Sequence, residues 1–252
     1  MNVEILNSYQ PISLAEMSAV RLMNRIDTKY LTTIPTLERL LELLSDEYFI
    51  QDTDGLRLFP YHTMYFDTPT HRMYMMHQCG KKVRQKIRMR TYVNSSTHFL
   101  EIKNKNNKGR TKKKRILIDG MCERTDQFED FITQYSDYHS AELMQHLENR
   151  FERITLVNHN FTERLTIDTC LRFHNILNDA TSELGNVSVI ELKRDGTIPS
   201  PALKHLNALR IKPSGFSKYC MGMVFTSSQL KINRFKERKN YVEKLNGSRI
   251  AL

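Results

Sequence analysis

The chain has 252 residues, 40% of them hydrophobic and 26% charged, with only nine glycines and seven prolines, which excludes collagen-like, low-complexity and globally disordered classes. Lysine plus arginine total 38 against 28 acidic residues, a formal net charge of +10, so the expected partner is a polyanion: nucleic acid, an acidic membrane surface or a phosphate-rich small molecule. The four cysteines (Cys79, Cys122, Cys170, Cys220) lie far apart with no CxxC, which excludes a zinc ribbon and a thioredoxin-like motif and reads as reduced cytosolic thiols.

The first segment, MNVEILNSYQPISLAEM, lacks a basic start followed by an apolar core, so no signal peptide is expected. No apolar run approaches the roughly 18–20 residues that span a bilayer. A cytoplasmic chain is expected, folded as a single domain over 1–252, since no repeat or Pro/Gly/Ser-rich linker divides it.

Successive side chains of a strand point to opposite faces. In 25–30, Arg25, Asp27 and Lys29 alternate with Ile26, Thr28 and Tyr30. Helical periodicity follows over 36–47, with Leu37, Leu40, Leu41 and Leu44 on one face. His71 and His77 fall in a Met/Tyr-rich stretch (Met73, Tyr74, Met75, Met76) that reads as packing rather than a metal or cofactor site. In 83–92, Arg84, Lys86, Arg88 and Arg90 share one face, and Val83, Ile87 and Met89 the other. In 99–105, Glu101, Lys103 and Lys105 alternate with Leu100 and Ile102. The densest basic run, 103–115, holds eight Lys/Arg and no acid and reads as a hairpin turning at Asn106–Gly109. Short helices are expected over 126–135 and 141–148. Arg164, Thr166 and Asp168 share a face in 164–168, as do Glu191 and Lys193 in 187–193. A basic amphipathic helix is expected over 231–245, with Ile232, Phe235, Val242 and Leu245 roughly in line. It could cover a tunnel mouth, lie on an acidic membrane, or pack on the remaining fold.

One such strand is an ordinary solvated face. Several with stacked Lys and Arg need an anionic ligand or interspersed carboxylates, because like charges on neighbouring strands repel. An antiparallel barrel with charge inside and helices outside fits this spacing, and so does an open basic sheet. Nucleic-acid binding is a rival, but there is no zinc finger, RNP motif or tryptophan, so no specific nucleic acid is expected. P-loop, dinucleotide-binding, nucleophile-elbow and HExxH signatures are missing.

The segments RIDTKY (25–30), YFDT (65–68), KIRMR (86–90), FLEIK (99–103), KKKR (112–115), FERITL (151–156), ERLTIDT (163–169), VIELK (189–193) and FSKYCMG (216–222) occur in this order. Together they resemble the VTC domain, the catalytic domain of the vacuolar transporter chaperone polyphosphate polymerases, within the CYTH-like triphosphate tunnel metalloenzymes. The resemblance implies an α+β fold: an eight-stranded antiparallel barrel around a basic tunnel, with peripheral helices. It also implies a reaction, transfer of the γ-phosphate of ATP to a growing polyphosphate chain, with Mn²⁺ or Mg²⁺ bound. Phosphoryl transfer depends on positioning and charge neutralisation, for which arginine forks, lysine point charges and a carboxylate-bound hard cation suit.

Carried over by position, the resemblance makes Arg88, Arg90, Lys103, Arg164 and Lys218 the catalytic set. Lys29, Arg25, Lys86, Lys113, Arg115, Arg153, Lys193 and Ser217 would bind substrate, with the register within 112–115 left open. Glu191 would be the metal ligand. The bland alternative for each arginine is an ion pair with Glu101 or Asp168. Departures are Ile102 where the family often has arginine, and Gly215 where some members carry a base, with Lys212 as the nearest substitute. RIDTK also stands in place of ExExK, which counts against a CYTH-type cyclase or triphosphatase. The alternatives to a polymerase are a triphosphatase using the same tunnel and a binding module for polyphosphate or nucleic acid.

Overall fold

The computed structural model describes residues 1–17, 25–196 and 198–247. Among these, the chain forms β1 (Gln10–Ile12), α1 (Leu14–Met17), β2 (Arg25–Thr33), α2 (Ile34–Leu44), β3 (Tyr48–Gln51), β4 (Phe59–Asp67), α3 (Arg72–Gln78), β5 (Arg84–Tyr92), β6 (Thr97–Lys105), β7 (Thr111–Ile118) and α4 (Glu129–Tyr135). There follow β8 (Met144–Asn158), β9 (Glu163–Asn175), β10 (Thr181–Leu184), β11 (Val187–Asp195), α5 (Pro201–Ala208), α6 (Lys218–Thr226) and α7 (Lys236–Asn246). The predicted hairpin turn is present: Asn106 N donates to Arg110 O at 2.9 Å, and Gly109 takes φ +80°.

Eight strands form one antiparallel path, β2-β11-β9-β8-β4-β5-β6-β7. β1, β3 and β10 are added at its sides. The expected closure into a barrel is not made, because β2 and β7 end the path unpaired with each other among the described residues. The outer edge of β2 is taken by another segment: Tyr30 bridges to Pro213, and Ser214 N donates to Lys29 O at 2.7 Å. β7 exposes Lys112, Lys113 and Lys114, and pairing them beside Lys29 would oppose like charges. The sheet is therefore open but curled, so that β2 and β6 face the same cavity.

The apolar residues of the alternating strands face outward under helices, as the pattern required. Thr33 caps α2 by accepting from Thr36 N, and its stripe Leu37, Leu40, Leu41 and Leu44 is buried. That stripe packs with Ile154, Leu156, Leu165, Ile167, Ile190 and Leu192 of the sheet and Leu206 of α5. Each such side chain contributes about 1.5–3 kcal/mol on burial. Ile132 of α4 seals Ile87, Met89, Leu100 and Ile102 in the same way.

Helix α6 packs against the other face. The β8–β9 ladder shifts register between Arg150 and Glu152, and nearby Cys170 takes φ +52°. Leu171 and Phe173 can then share a face with Asp168, and they pack with Leu147, Val189 and Tyr65 around Tyr219–Phe225. Gly222 permits this approach, since a Cβ there would lie 2.4 Å from Leu147 Cδ2 and 2.6 Å from Phe173 Cδ1. One end of the inner face is thereby filled with apolar side chains, and the charged remainder is left open.

One predicted element is overturned. Residues 141–148 are not a helix: a single 3₁₀ turn over Ser140–Glu142 leads into the 15-residue strand β8. Leu143 and Leu147 mimic an i, i+4 helical pair, but pairing with β4 and then β9 outweighs that local preference. The 231–245 prediction holds as a 3₁₀ turn, Asn233–Phe235, followed by α7.

Candidate functional site: a cation-lined cavity

The alternation on β5 places Lys86, Arg88 and Arg90 opposite Lys103, Glu101 and Phe99 of β6, and these opposite Lys113, Arg115 and Leu117 of β7. This register settles the basic run: Lys113 and Arg115 share the inner face, whereas Lys114 lies over the Tyr135 ring of α4 outside. From the other side come Lys29 on β2, Glu191 and Lys193 on β11, Arg164 and Asp168 on β9, and Arg153 on β8. Lys218 opens α6, with Ser217 as its N-cap accepting from Cys220 N.

Three carboxylates organise these cations. Glu101, 1% exposed, accepts from Arg88 at 2.6–2.7 Å and from Lys113 at 2.9 Å, with Arg90 at 3.9 Å. Asp168 receives a two-pronged bond from Arg153, at 2.6 and 2.9 Å, and a bond from Lys218. Glu191 is bridged by Lys29 and Lys193, each at 2.7 Å. Burial alone would raise all three carboxyls, but the adjacent cations hold them well below the ordinary carboxylate range. They are anions at neutral pH, and each is already met by at least two cations.

Positive charge remains in excess. Arg90 is 7% exposed and its Nε has no hydrogen-bond partner, an unmet donor that an anionic oxygen would satisfy. Burial, then repulsion from Arg88, lowers the Arg90 guanidinium. Lys86 Nζ donates to Ser217 Oγ at 2.7 Å. Lys103 is exposed and lines the cavity. Enclosure by the walls, then Lys86 and Arg88, nevertheless pulls its ammonium down to about 8. An anion beside Lys103 raises that value again. At pH 8, binding tripolyphosphate should take up about half a proton more than in Lys103→Met, the difference vanishing near pH 6 where Lys103 is already charged. Calorimetry in buffers of different ionisation enthalpy measures this, and equal proton uptake by both proteins would remove Lys103 from the anion's reach.

Aromatic rings support the arginines. Arg153 lies 4.9 Å from the Tyr61 ring and 5.2 Å from Phe151, Arg90 5.6 Å from Tyr61, Lys218 4.2 Å from Phe151, and Arg115 4.5 Å from Phe99. Tyr61, Phe99 and Phe151 were not singled out from the sequence. Their signal was cross-strand register, which one chain alone does not reveal. Asp67 was also missed as a support, accepting from Thr68, Met73 and Tyr74 N and from the Tyr219 hydroxyl that anchors α6.

The predicted residues do not all converge. Arg115 is exposed beyond its ring contact, and Arg164 Nη2 donates to Met17 O at 3.1 Å. Arg25 contributes backbone to β2 opposite Asp195, and its side chain lies outside the described residues. Among the described residues no group of three His, Cys, Asp or Glu side chains could hold a metal. The open mouth is a cavity of about 1300 Å³, where Lys29, Lys86, Lys103 and Glu191 meet Lys108 and Arg110, which were not among the predicted site residues, and Arg234 and Arg238 of the 231–245 segment, for which a tunnel mouth was one of the expected places. No described helix is long and apolar enough to cross a membrane.

Comparison with curated proteins finds no match. Among solved structures, a Hippeastrum protein described as a candidate adenylyl cyclase with a dominant triphosphatase activity is 16% identical, over 82% of this chain and 99% of that one, with a TM-score of 0.51. A Vibrio parahaemolyticus protein named as a candidate adenylate cyclase is 11% identical, over 81% and 99%, with a TM-score of 0.46. A Pyrococcus horikoshii protein is 13% identical, over 78% and 97%, with a TM-score of 0.43. The Hippeastrum likeness establishes a shared fold. The VTC domain profile matches residues 24–226, and the chain belongs to the VTC domain family.

Proposed function

We propose that this protein is an ATP-dependent polyphosphate polymerase that transfers the γ-phosphoryl group of ATP to a growing polyphosphate chain in the cation-lined cavity. The observation that carries the reading is the surplus of positive charge: three carboxylates are each saturated by cations, while Arg90 still holds an unmet buried donor. Family membership supports the substrate class. Arg88, Arg90 and Arg153 are pre-oriented on carboxylates and rings, so binding phosphate costs them little rotamer freedom. The N-terminus of α6, with Ser217 and Lys218, adds a partial positive charge toward the same anion. Lys29 and Lys193 neutralise charge near Glu191. Together these groups would hold donor and acceptor phosphates in line and stabilise the charge that develops on the transferred group.

Glu191 would hold Mn²⁺ or Mg²⁺ from the protein side, with phosphate oxygens and water as the other ligands, and the ion would neutralise phosphate charge. Glu191→Gln is expected to lower metal-dependent turnover by about 100-fold or more. Affinity for tripolyphosphate without metal should not fall, since Lys29 and Lys193 lose their competing carboxylate. Unchanged turnover in that variant would remove the metal-ligand role.

The triphosphatase reading has one specific support, the activity described for the Hippeastrum protein. Incubation with ATP and Mn²⁺ decides between them. ADP with a long anionic polymer on a stained gel establishes the polymerase, and ADP with free phosphate alone establishes hydrolysis. Tight binding without turnover reduces the protein to a polyanion-binding module.

A further inference from the structure

The inner face of β5 carries basic residues at four successive inward positions, Arg84, Lys86, Arg88 and Arg90. From Arg84 to Arg90 is about 20 Å at roughly 3.3 Å per residue. That ladder is longer than one triphosphate can cover. A triphosphate seated on Arg88 and Arg90 leaves the mouth cations facing water.

The mouth is nonetheless built rather than incidental. Phe235 is 1% exposed and packs against the rings of Tyr74 and His77 at 5.7 and 5.2 Å. Val242 is fully buried, and the Tyr74 hydroxyl donates to Lys231 O at 3.0 Å. This anchorage fixes Arg234, on the 3₁₀ turn, and Arg238, in the first turn of α7, where they line the cavity with Arg84, Lys86, Lys105 and Lys108.

Gly80 gives the Arg234 guanidinium a close approach, and Gly215 lies beside that of Arg238. A Cβ at Gly80 would lie 2.7 Å from Arg234 Nη1, and Gly80 adopts φ +73°. A Cβ at Gly215 would lie 3.6 Å from Arg238 Nη2. Arg238 thus stands where the sequence lacks a base at position 215, whereas Lys212 is not among the cavity residues. Neither arginine makes an ion pair with a carboxylate among the described residues, and like charges at i, i+4 repel. Burial, then Arg234, lowers the Arg238 guanidinium, with Glu237 only a minor counterweight. An arrangement of this kind is stabilised by an extended anion and by little else.

We propose that Arg234 and Arg238 clamp the distal phosphates of an inorganic polyphosphate chain whose proximal end occupies the Arg88–Arg90 zone. This rests on the phosphate-binding reading of the cavity. The clamp is a chain-length reader: it engages long polyphosphate and is out of reach of tripolyphosphate.

The test uses the double variant Arg234→Gln/Arg238→Gln in the full chain, with tripolyphosphate and long-chain polyphosphate as separate probes in calorimetry. Tripolyphosphate affinity should stay within about two-fold of wild type. Long-chain affinity should fall by about 10-fold or more, with the salt slope reduced by about one for each arginine removed. Arg234→Lys/Arg238→Lys should restore most of the long-chain affinity, which separates lost charge from a disturbed α7. Wild-type long-chain affinity in the glutamine variant overturns the clamp. So does an equal fall for both ligands, which would place the arginines in the triphosphate site or the fold. If the unmodified protein binds neither probe, the phosphate reading of the cavity itself fails and the clamp with it.

Discussion

Tripolyphosphate affinity is expected to fall by about 100- to 10,000-fold when Arg88 and Arg90 are both replaced by alanine. Each removed guanidinium takes away charge-assisted bonds worth about 1.5–3 kcal/mol, and every 1.4 kcal/mol is tenfold in affinity. A second effect acts in the same direction. Glu101 is buried and draws its counter-charge from Arg88, Lys113 and more distantly Arg90. Without both arginines it faces the ligand with Lys113 alone, so the inner wall turns from attractive toward repulsive. The paired variant Arg88→Lys/Arg90→Lys keeps the charge but loses the fork, and should sit between wild type and the alanine protein. Calorimetry on protein whose thermal melt remains cooperative gives the answer. Near-normal affinity in the alanine variant would mean that the anion does not lie on the inner face of β5.

The largest stability effect is expected at Asp168. Asp168→Asn leaves Arg153 and Lys218 buried against Phe151 without the carboxylate that pairs them, which costs about 3–5 kcal/mol. The sign of the pH dependence follows from the depressed carboxyl. Its stabilisation is fully present above the unfolded value near 4 and is lost as pH falls through the lower folded value. The gap between wild type and variant in urea unfolding should therefore widen below pH 7, where Lys218, held down to about 7 by burial even beside Asp168, must charge without its counter-ion, and close in stronger acid. Tripolyphosphate should stabilise the variant more than wild type, because the ligand supplies the missing anion. A gap below about 1 kcal/mol at pH 7, or one that persists unchanged in acid, would show that Asp168 is not the counter-ion of this pair.

Much of the inner face was legible without tertiary information. Period-two alternation over 83–92, 99–105, 164–168 and 187–193 put Arg88, Arg90, Lys103, Asp168 and Glu191 on charged faces, and those faces turn inward. That alternation is informative there because one side of each strand is sealed by Leu, Ile and Met under α2, α4 and α5, so a slip of one residue would bury charge. It failed at 141–148, where AELMQHLE carries a helical spacing by coincidence and non-local pairing decides. The suggested ion pairs of arginines with Glu101 and Asp168 are present. They coexist with unmet donors, so they pre-orient the arginines without exhausting the charge.

The sequence by itself determined which residues share a face, since that depends only on the geometry of a strand and the aversion of charge to an apolar interior. It also determined the family, because nine short segments in fixed order leave little room for coincidence. Only the tertiary structure decided which charges meet. Lys218 reaches Asp168, and Arg238 reaches the space beside Gly215, because α6 and α7 are held by buried Tyr219, Phe235 and Val242 far from those partners in sequence. The sheet stays open for the same kind of reason: Pro213 and Ser214 occupy the β2 edge, a contact across more than 180 residues that no local pattern encodes.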